Sequence, residues 1–307
     1  MNDREQAGLR GQVRACVLDR DCVYPDHHRV MRTSTSFSRE GNLLRQDHQN
    51  PDGSGWSIVC HYDDQGRILG RSGSEGPFSA NWALSYHYDY DALGRLERVV
   101  QRSAGGVERV LESYRYEATG RKILTEYLSL GLRKQGIVVG LEASFQFSAE
   151  ASFIVTFFDE HDRPVKRIFY DPNDRVDRRI LFRYDAAGRL LEEGEDEGKG
   201  RIRQDYRQAY TYDTQGRILS KTVHHYAFGT RRNTFLYNDN GDVAEERYQD
   251  SLGILGGIDG EGRDQDWAKR FQYVYDGHGN WTERTETRQS AGETGVSTVE
   301  RRSLEYY

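Results

Sequence analysis

Methionine and proline are scarce in this 307-residue chain, at two and five, while tyrosine and phenylalanine number 20 and 12. Aromatic rings, not aliphatic or thioether side chains, must therefore fill much of the core. Cysteine occurs three times, at Cys16, Cys22 and Cys60, an odd count without CxxC spacing or a His-rich partner. That excludes a disulfide framework or zinc site by motif, and no metal or cofactor is expected. No apolar run approaches the 18 residues of a helical membrane span; the best stretch, Phe153 to Phe158, has the length of a strand. The N-terminus lacks the apolar core of a signal peptide, so the chain as written is expected in the cytoplasm, with leaderless export or a truncated precursor as the other routes. The net charge of −6 argues against a basic nucleic-acid-binding surface. A mean hydropathy of −0.86 does not signal disorder, because the index penalises tyrosine, whose ring buries while its hydroxyl stays polar.

What is abundant is a short repeat. Its clearest copies run Tyr88 to Leu96, Phe182 to Leu190 and Tyr210 to Ile218, and further copies centre on Gly41, Gly66, Gly120, Gly241 and Gly279. In two degenerate copies Asp162 and Asp174 take the glycine place, which makes ten units, commonly spaced by 25–28 residues. Four residues before the anchor every copy carries an aromatic, including Tyr62, Tyr90, Tyr116, Tyr184, Tyr212, Tyr237 and Tyr275. Strand formers stand two positions earlier, on the same face of a strand. Asp precedes the anchor by three in seven copies, where its carboxylate can accept from turn amides, and Gly66, Gly94, Gly120, Gly188, Gly216, Gly241 and Gly279 supply a positive φ. Arg follows the anchor in seven copies and an apolar residue comes next in eight, so Arg is expected to face out and Leu or Ile in. The unit reads as a β-hairpin, a type I turn followed by a bulge.

These hairpins predict an all-β fold: an antiparallel meander of roughly twenty strands, a long curled or coiled sheet or solenoid-like shell with an aromatic interior, since open sheets beyond about ten strands curl, split or close. Residues 1–34, which carry no clear unit, are expected to cover the first edge strand, and residues 35–307 to form the repeat domain. Insertions at 127–152 and 248–270 interrupt the rhythm and could cap the sheet ends or dock a partner.

The pattern Tyr-x-Tyr-Asp-x-x-Gly-Arg-Leu resembles the YD repeat of RHS and teneurin-like proteins, over about Phe37 to Tyr307. The resemblance implies a β-hairpin strip coiled into a spiral shell, which in large members encloses a toxin or forms an adhesion module. The chain is expected to depart from those members in lacking the self-cleaving core segment and a variable effector domain and in having fewer repeats. It looks more like the short, stand-alone bacterial YD-repeat proteins. If about twenty strands at about 4.8 Å closed into a ring, the radius would be about 15 Å, too small for this chain alone to enclose a 100-residue domain whose radius of gyration is about 13 Å.

Catalytic signatures are absent: there is no GxSxG, HExxH, Walker A, SxxK or dinucleotide GxGxxG. His27-His28 and His224-His225 are strand neighbours and point to opposite faces, so neither pair can chelate one metal from a strand. The expected function is a non-catalytic structural scaffold or protein-interaction module. The alternatives are a carbohydrate-binding module built on outward Arg, Asp, Trp and Tyr, with Trp56, Trp82 and Trp267 as candidates, or an accessory of an RHS-type toxin system. The segment from Leu252 through Ile254 to Asp259, Glu261, Asp264 and Asp266 pairs apolar residues with an acidic rim, the composition of a partner-docking loop. A protein or glycan partner is expected, and no nucleic acid or membrane span.

Overall fold

At the turn after Tyr62, the Asp63 amide donates to the Arg67 carbonyl at 2.9 Å and the Gly66 amide to the Asp63 carbonyl at 2.9 Å, with Gly66 at φ +75°. A register shift falls between His61 and Tyr62. This is a type I turn, a left-handed residue and a bulge, and glycine sits there because a Cβ resists positive φ. Gly94, Gly188, Gly216, Gly241 and Gly279 adopt the same sign of φ, and Asp162 and Asp174 hold it at 60° and 59°, which aspartate tolerates better than most residues. We expect Gly216→Val to cost about 2 kcal/mol, because β-branching aggravates the left-handed penalty, while Asp174→Gly changes little. Thermal melts of the two variants check this, and equal melting temperatures would contradict the turn geometry.

The computed structural model describes residues 2–23, 28–75, 84–102, 106–119, 121–127, 152–198, 200–225, 229–252, 266–290 and 293–307; Gly120 and Trp82 lie outside them. A four-residue helix, α1 (Asp3–Gln6), precedes β1 (Val13–Val23), β2 (His28–Phe37), β3 (Leu43–Gln49), β4 (Gly55–Tyr62), β5 (Ile68–Glu75), β6 (Leu84–Tyr90) and β7 (Leu96–Arg102). Then come β8 (Glu108–Tyr116), β9 (Lys122–Tyr127), β10 (Phe153–Phe158), β11 (Pro164–Tyr170), β12 (Val176–Tyr184), β13 (Leu190–Gly198) and β14 (Arg201–Tyr212). The last six are β15 (Ile218–His225), β16 (Gly229–Tyr237), β17 (Val243–Leu252), β18 (Trp267–Tyr275), β19 (Trp281–Ser290) and β20 (Glu293–Tyr306).

Each strand pairs antiparallel with the next, and β20 returns to β1, with Leu304 opposite Cys16 and Glu300 opposite Arg20. The sheet is therefore a closed 20-stranded barrel, which corrects the expectation of a coiled sheet or solenoid-like shell. An open strip would leave two rows of unpaired backbone groups, whereas closure pairs both. The expected edge cover over residues 1–34 gives way to strand structure for the same reason: β1 and most of β2 lie within that range, and neither is an edge.

Residues 2–12 instead pack against one rim. Asn2 caps α1 through a capping box with Glu5, the Arg4 amide donates to the Gly41 carbonyl at 3.0 Å, and Asp3 accepts from the Leu43 amide at 2.7 Å. Arg10 donates to the Gly279 carbonyl at 2.6 Å and exchanges bonds with Asn280. Leu9 is buried with Val13, Cys16 and Phe37.

A meander alternates its ends, so the turns anchored at 41, 66, 94, 162, 188, 216, 241 and 279 all lie on that rim, two strands apart. The 25–28-residue period is one full up-and-down pass. The turn at Asp174 joins β11 to β12 and so lies on the opposite rim. There the parity of the strand turns Tyr170 away from the other repeat aromatics: it pairs with Phe153 and stacks on it at 4.6 Å, beside exposed Tyr127. The expectation that all ten aromatics point inward thus fails at Tyr170.

Counting back by twos from the remaining repeat aromatics defines the concave face. It holds Phe37, Cys60, Ile154, Phe169, Ile180, Phe182 and Trp281, all buried. The convex face carries water-facing ion pairs such as Asp19–Arg32, Asp89–Arg98 and Glu283–Arg301. An apolar patch interrupts it across β9 to β11, with Ile123, Phe157, Val155, Ile168, Phe153 and Tyr170. The described interior has two small apolar clusters, one around Phe182 and one around Phe37. A ring of twenty strands has a perimeter of about 96 Å and a backbone radius of about 15 Å before tilt widens it.

Candidate binding surfaces of the rim and lumen

The repeat rim is a belt of tyrosine, arginine and aspartate linked from one hairpin to the next. Asp63 accepts from the amides of Gln65 and Arg67 at 3.0 and 2.8 Å and from Arg67 Nε at 2.6 Å. The Arg67 guanidinium in turn lies 5.0 Å from the ring centre of Tyr90 in the next unit, whose hydroxyl donates back to the Ile68 carbonyl at 2.7 Å. Asp91–Arg95–Tyr116, Asp159–Arg163–Tyr184, Asp185–Arg189–Tyr212 and Asp213–Arg217–Tyr237 repeat this geometry. These five turn arginines therefore do not simply face out: each bridges two units. Arg39 over Tyr307, whose hydroxyl reaches the Phe37 carbonyl at 2.5 Å, carries the belt across the junction of the two chain ends.

This belt sets protonation states. Burial pushes Asp159 up, but the Arg163 guanidinium and the amides of Arg163 and His161 outweigh it and hold the carboxyl at about 2. Burial, reinforced by Asp159, pushes the Tyr184 phenol up to about 12, and burial likewise lifts Tyr273 to about 12. A phenol whose folded pKa exceeds its unfolded value of about 10 contributes stability that is intact below pH 10 and lost as pH rises toward 12. We expect stability to fall across that window together with tyrosinate absorbance. Full tyrosinate formation near pH 10 with the fold intact would contradict it.

Below the rim the concave wall becomes charged, which corrects the expectation of an aromatic interior throughout. Glu112 and Glu126 face each other across β8 and β9. Burial raises the Glu126 carboxyl, Arg167 opposes this, and Glu112 adds to it; Tyr114 donates to Glu112 at 2.6 Å. Glu300, 2% exposed, accepts from Arg20 Nε at 2.6 Å and pairs with Arg284. Arg302 stacks on Trp281 with 3.5 Å to the ring centre, and burial pulls its guanidinium below its usual pKa. Its Nη2 makes one long bond to the Ala7 carbonyl, 3.4 Å, and Nε and Nη1 have no acceptor among the described residues.

Trp56 and Trp267 both lie on the concave wall. Trp56 stacks on His48 at 5.5 Å and edges a cleft of 450 Å³ at the β3–β4 turn, lined also by Arg32 and Asp47 of the convex face and by Ser54 of the turn; Trp267 stacks on Tyr248 at 5.3 Å. Six strand steps, about 29 Å of wall, separate β4 from β18, so the two tryptophans do not form one platform. Asp266 is exposed and accepts from the Asp250 amide at 3.2 Å. Leu252 ends β17, while Ile254, Asp259, Glu261 and Asp264, like most of the 127–152 insertion, lie outside the described residues. His224 and His225 fall on opposite walls, opposite Arg207 and Tyr206. Among the described residues no group of three or more His, Cys, Asp or Glu is placed to hold a metal, and the three cysteines are free thiols.

The sequence reading missed Arg20, Arg284, Glu300 and Arg302. A signal was present: stepping back by twos from Tyr306 reaches Leu304, Arg302 and Glu300, the same parity that marks the repeat aromatics.

No family model matches the chain, and no curated protein matches it. Among solved structures it is similar to a porin-like protein from Bacteroides uniformis, at 8% identity and a TM-score of 0.39, with 95% of this chain and 96% of that one covered. It is also similar to the Photorhabdus luminescens Tc holotoxin pore, at 14% identity and a TM-score of 0.33, over 88% of this chain but 17% of that one. A TcdB2-TccC3 structure gives 14% identity and a TM-score of 0.34, with 90% and 17% covered. No helix among the described residues is long and apolar enough to cross a membrane.

Proposed function

We propose that this chain is a non-catalytic YD-repeat shell that works in water and engages its partner through the lumen. The observation that carries this is the division of the wall. Exposed Arg–carboxylate pairs are distributed over the convex face, whereas partly exposed charged and aromatic side chains line the concave one. A lipid-facing barrel needs an outward apolar band all the way round, whereas outside the β9 to β11 patch the exposed apolar residues of the convex face, such as Val30, Leu236 and Val274, stand opposite Asp21, Glu245 and Glu283. With side chains in place, a backbone radius of about 15 Å admits an extended segment or a small molecule, not a folded domain. The Tyr-Asp-Gly-Arg repeat supports membership of the YD-repeat group, in which shells of hairpins are the common architecture.

A photo-crosslinking amino acid at Val223, on the concave wall, and separately at Thr222, its convex neighbour, tests the reading in the producing cell. Adducts from position 223 and none from 222 are expected. Adducts from 222 alone, channel conductance in a planar bilayer, or saturable turnover abolished by one substitution would each overturn it.

A further inference from the structure

One arc of the concave wall, from β18 through β19, β20 and β1 to β2, has an unbalanced charge. Strand register places Lys269, Arg284, Arg288, Arg302, Arg20 and Arg29 on this face, against Glu286, Glu293 and Glu300. Glu286 is engaged by Lys269 at 3.1 Å, and Glu300 by Arg20 and Arg284. On the bordering β17, Glu246 accepts from Asn233 at 2.7 Å and Asp250 pairs with Arg231 at 3.4 Å. Among the described residues, Arg288, Arg29 and Arg302 have no carboxylate within ion-pair distance, Asp52 acting on Arg29 only at longer range. The chain as a whole carries −6, so the excess of cations is local and interior, and a concave low-dielectric wall concentrates its field.

The aromatic rings of the arc already have cations on them. Arg288 and Lys269 lie 5.4 Å from the ring centre of Trp267, Arg284 lies 5.5 Å from Phe271 and 5.2 Å from Trp281, and Arg302 covers Trp281. Stacked guanidinium groups keep their N–H edges in plane for oxyanions. Ring faces taken up in this way offer little to stacking bases, which disfavours a single-stranded nucleic acid. The cations spread about 13 Å along β19, from Arg284 to Arg288, and across five strands. That span exceeds a single phosphate and suits several carboxylates in a row.

We propose that this arc binds an extended acidic peptide segment, with its carboxylates on Arg29 and Arg288. The proposal rests on the lumen reading above and specifies the class of partner.

The test is fluorescence anisotropy of a labelled twelve-residue glutamate-rich peptide with the full chain. Saturable binding is expected, weakening about tenfold or more as salt rises past the point where the screening length falls below about 10 Å. Arg29→Glu with Arg288→Glu should weaken it about 30-fold or more, whereas Arg179→Glu with Arg232→Glu, the same charge change on the convex wall, should stay within about threefold. Circular dichroism melts accompany both pairs, and Arg29→Gln with Arg288→Gln replaces the first pair if it fails to fold. Equal losses from the inner and outer pairs, no binding of the acidic peptide, or binding of tripolyphosphate or a lysine-rich peptide in its place would overturn the proposal. Absence of acidic-peptide binding together with adducts from position 223 would sink this inference and leave the shell standing.

Discussion

Replacing Tyr184 by alanine is expected to lower the unfolding free energy by about 3–5 kcal/mol, the range for deleting a large packed ring. The ring lies against the Ile154–Phe169–Ile180–Phe182 cluster, the Arg163 guanidinium covers it at 4.9 Å, and its hydroxyl donates to the Pro164 carbonyl at 2.7 Å. Tyr184→Phe keeps the ring and loses only that bond, so it should cost about 1 kcal/mol. Denaturant titrations of both variants read the difference. A wild-type midpoint for Tyr184→Ala would mean that the belt does not hold the hairpins together.

Glu300→Ala should be comparably damaging for a different reason. The carboxylate is 2% exposed and sits between Arg20 and Arg284, with Arg302 close by. Removing it leaves cations facing one another, and breaking a buried pair costs about 3–5 kcal/mol, here toward the lower end because the Arg20 and Arg284 side chains stay 47% and 31% exposed. Glu300→Gln, which retains a hydrogen-bond acceptor, should fall between the alanine variant and the wild type. Because Glu300 joins β20 to both β19 and β1, the loss should appear first as hydrogen exchange in those strands. Uniform protection after the substitution would contradict its place in the closure.

The hairpins were legible because their determinants are local. A tyrosine, an aspartate and a glycine at fixed offsets from Tyr62 or Tyr212 specify a turn whose hydrogen bonds stay within a few residues. The direction of the repeat column was equally legible, since alternation is a property of any strand. Tyr170 escaped this reasoning because its turn lies on the far rim and the length of β11, not the motif, decides where its ring points. The arginine after each anchor was assigned outward because nothing within its own unit reveals the tyrosine it covers, which belongs to the next unit some 20 residues on.

The sequence alone determined that this is an all-β chain of repeated antiparallel hairpins with glycine or aspartate at each left-handed turn, because those features depend on backbone sterics and on contacts within one hairpin. Tertiary structure alone decided that the strip closes. Closure depends on β20 meeting β1 across nearly the whole chain, with Glu300 placed opposite Arg20 and Tyr307 against Phe37, and no local pattern encodes a pairing at that separation. Closure also created the lumen: it brought β18 and β19 beside β1 and β2 and so gathered Arg20, Arg284, Arg288 and Arg302, scattered along the sequence, onto one concave wall whose charge opposes that of the chain.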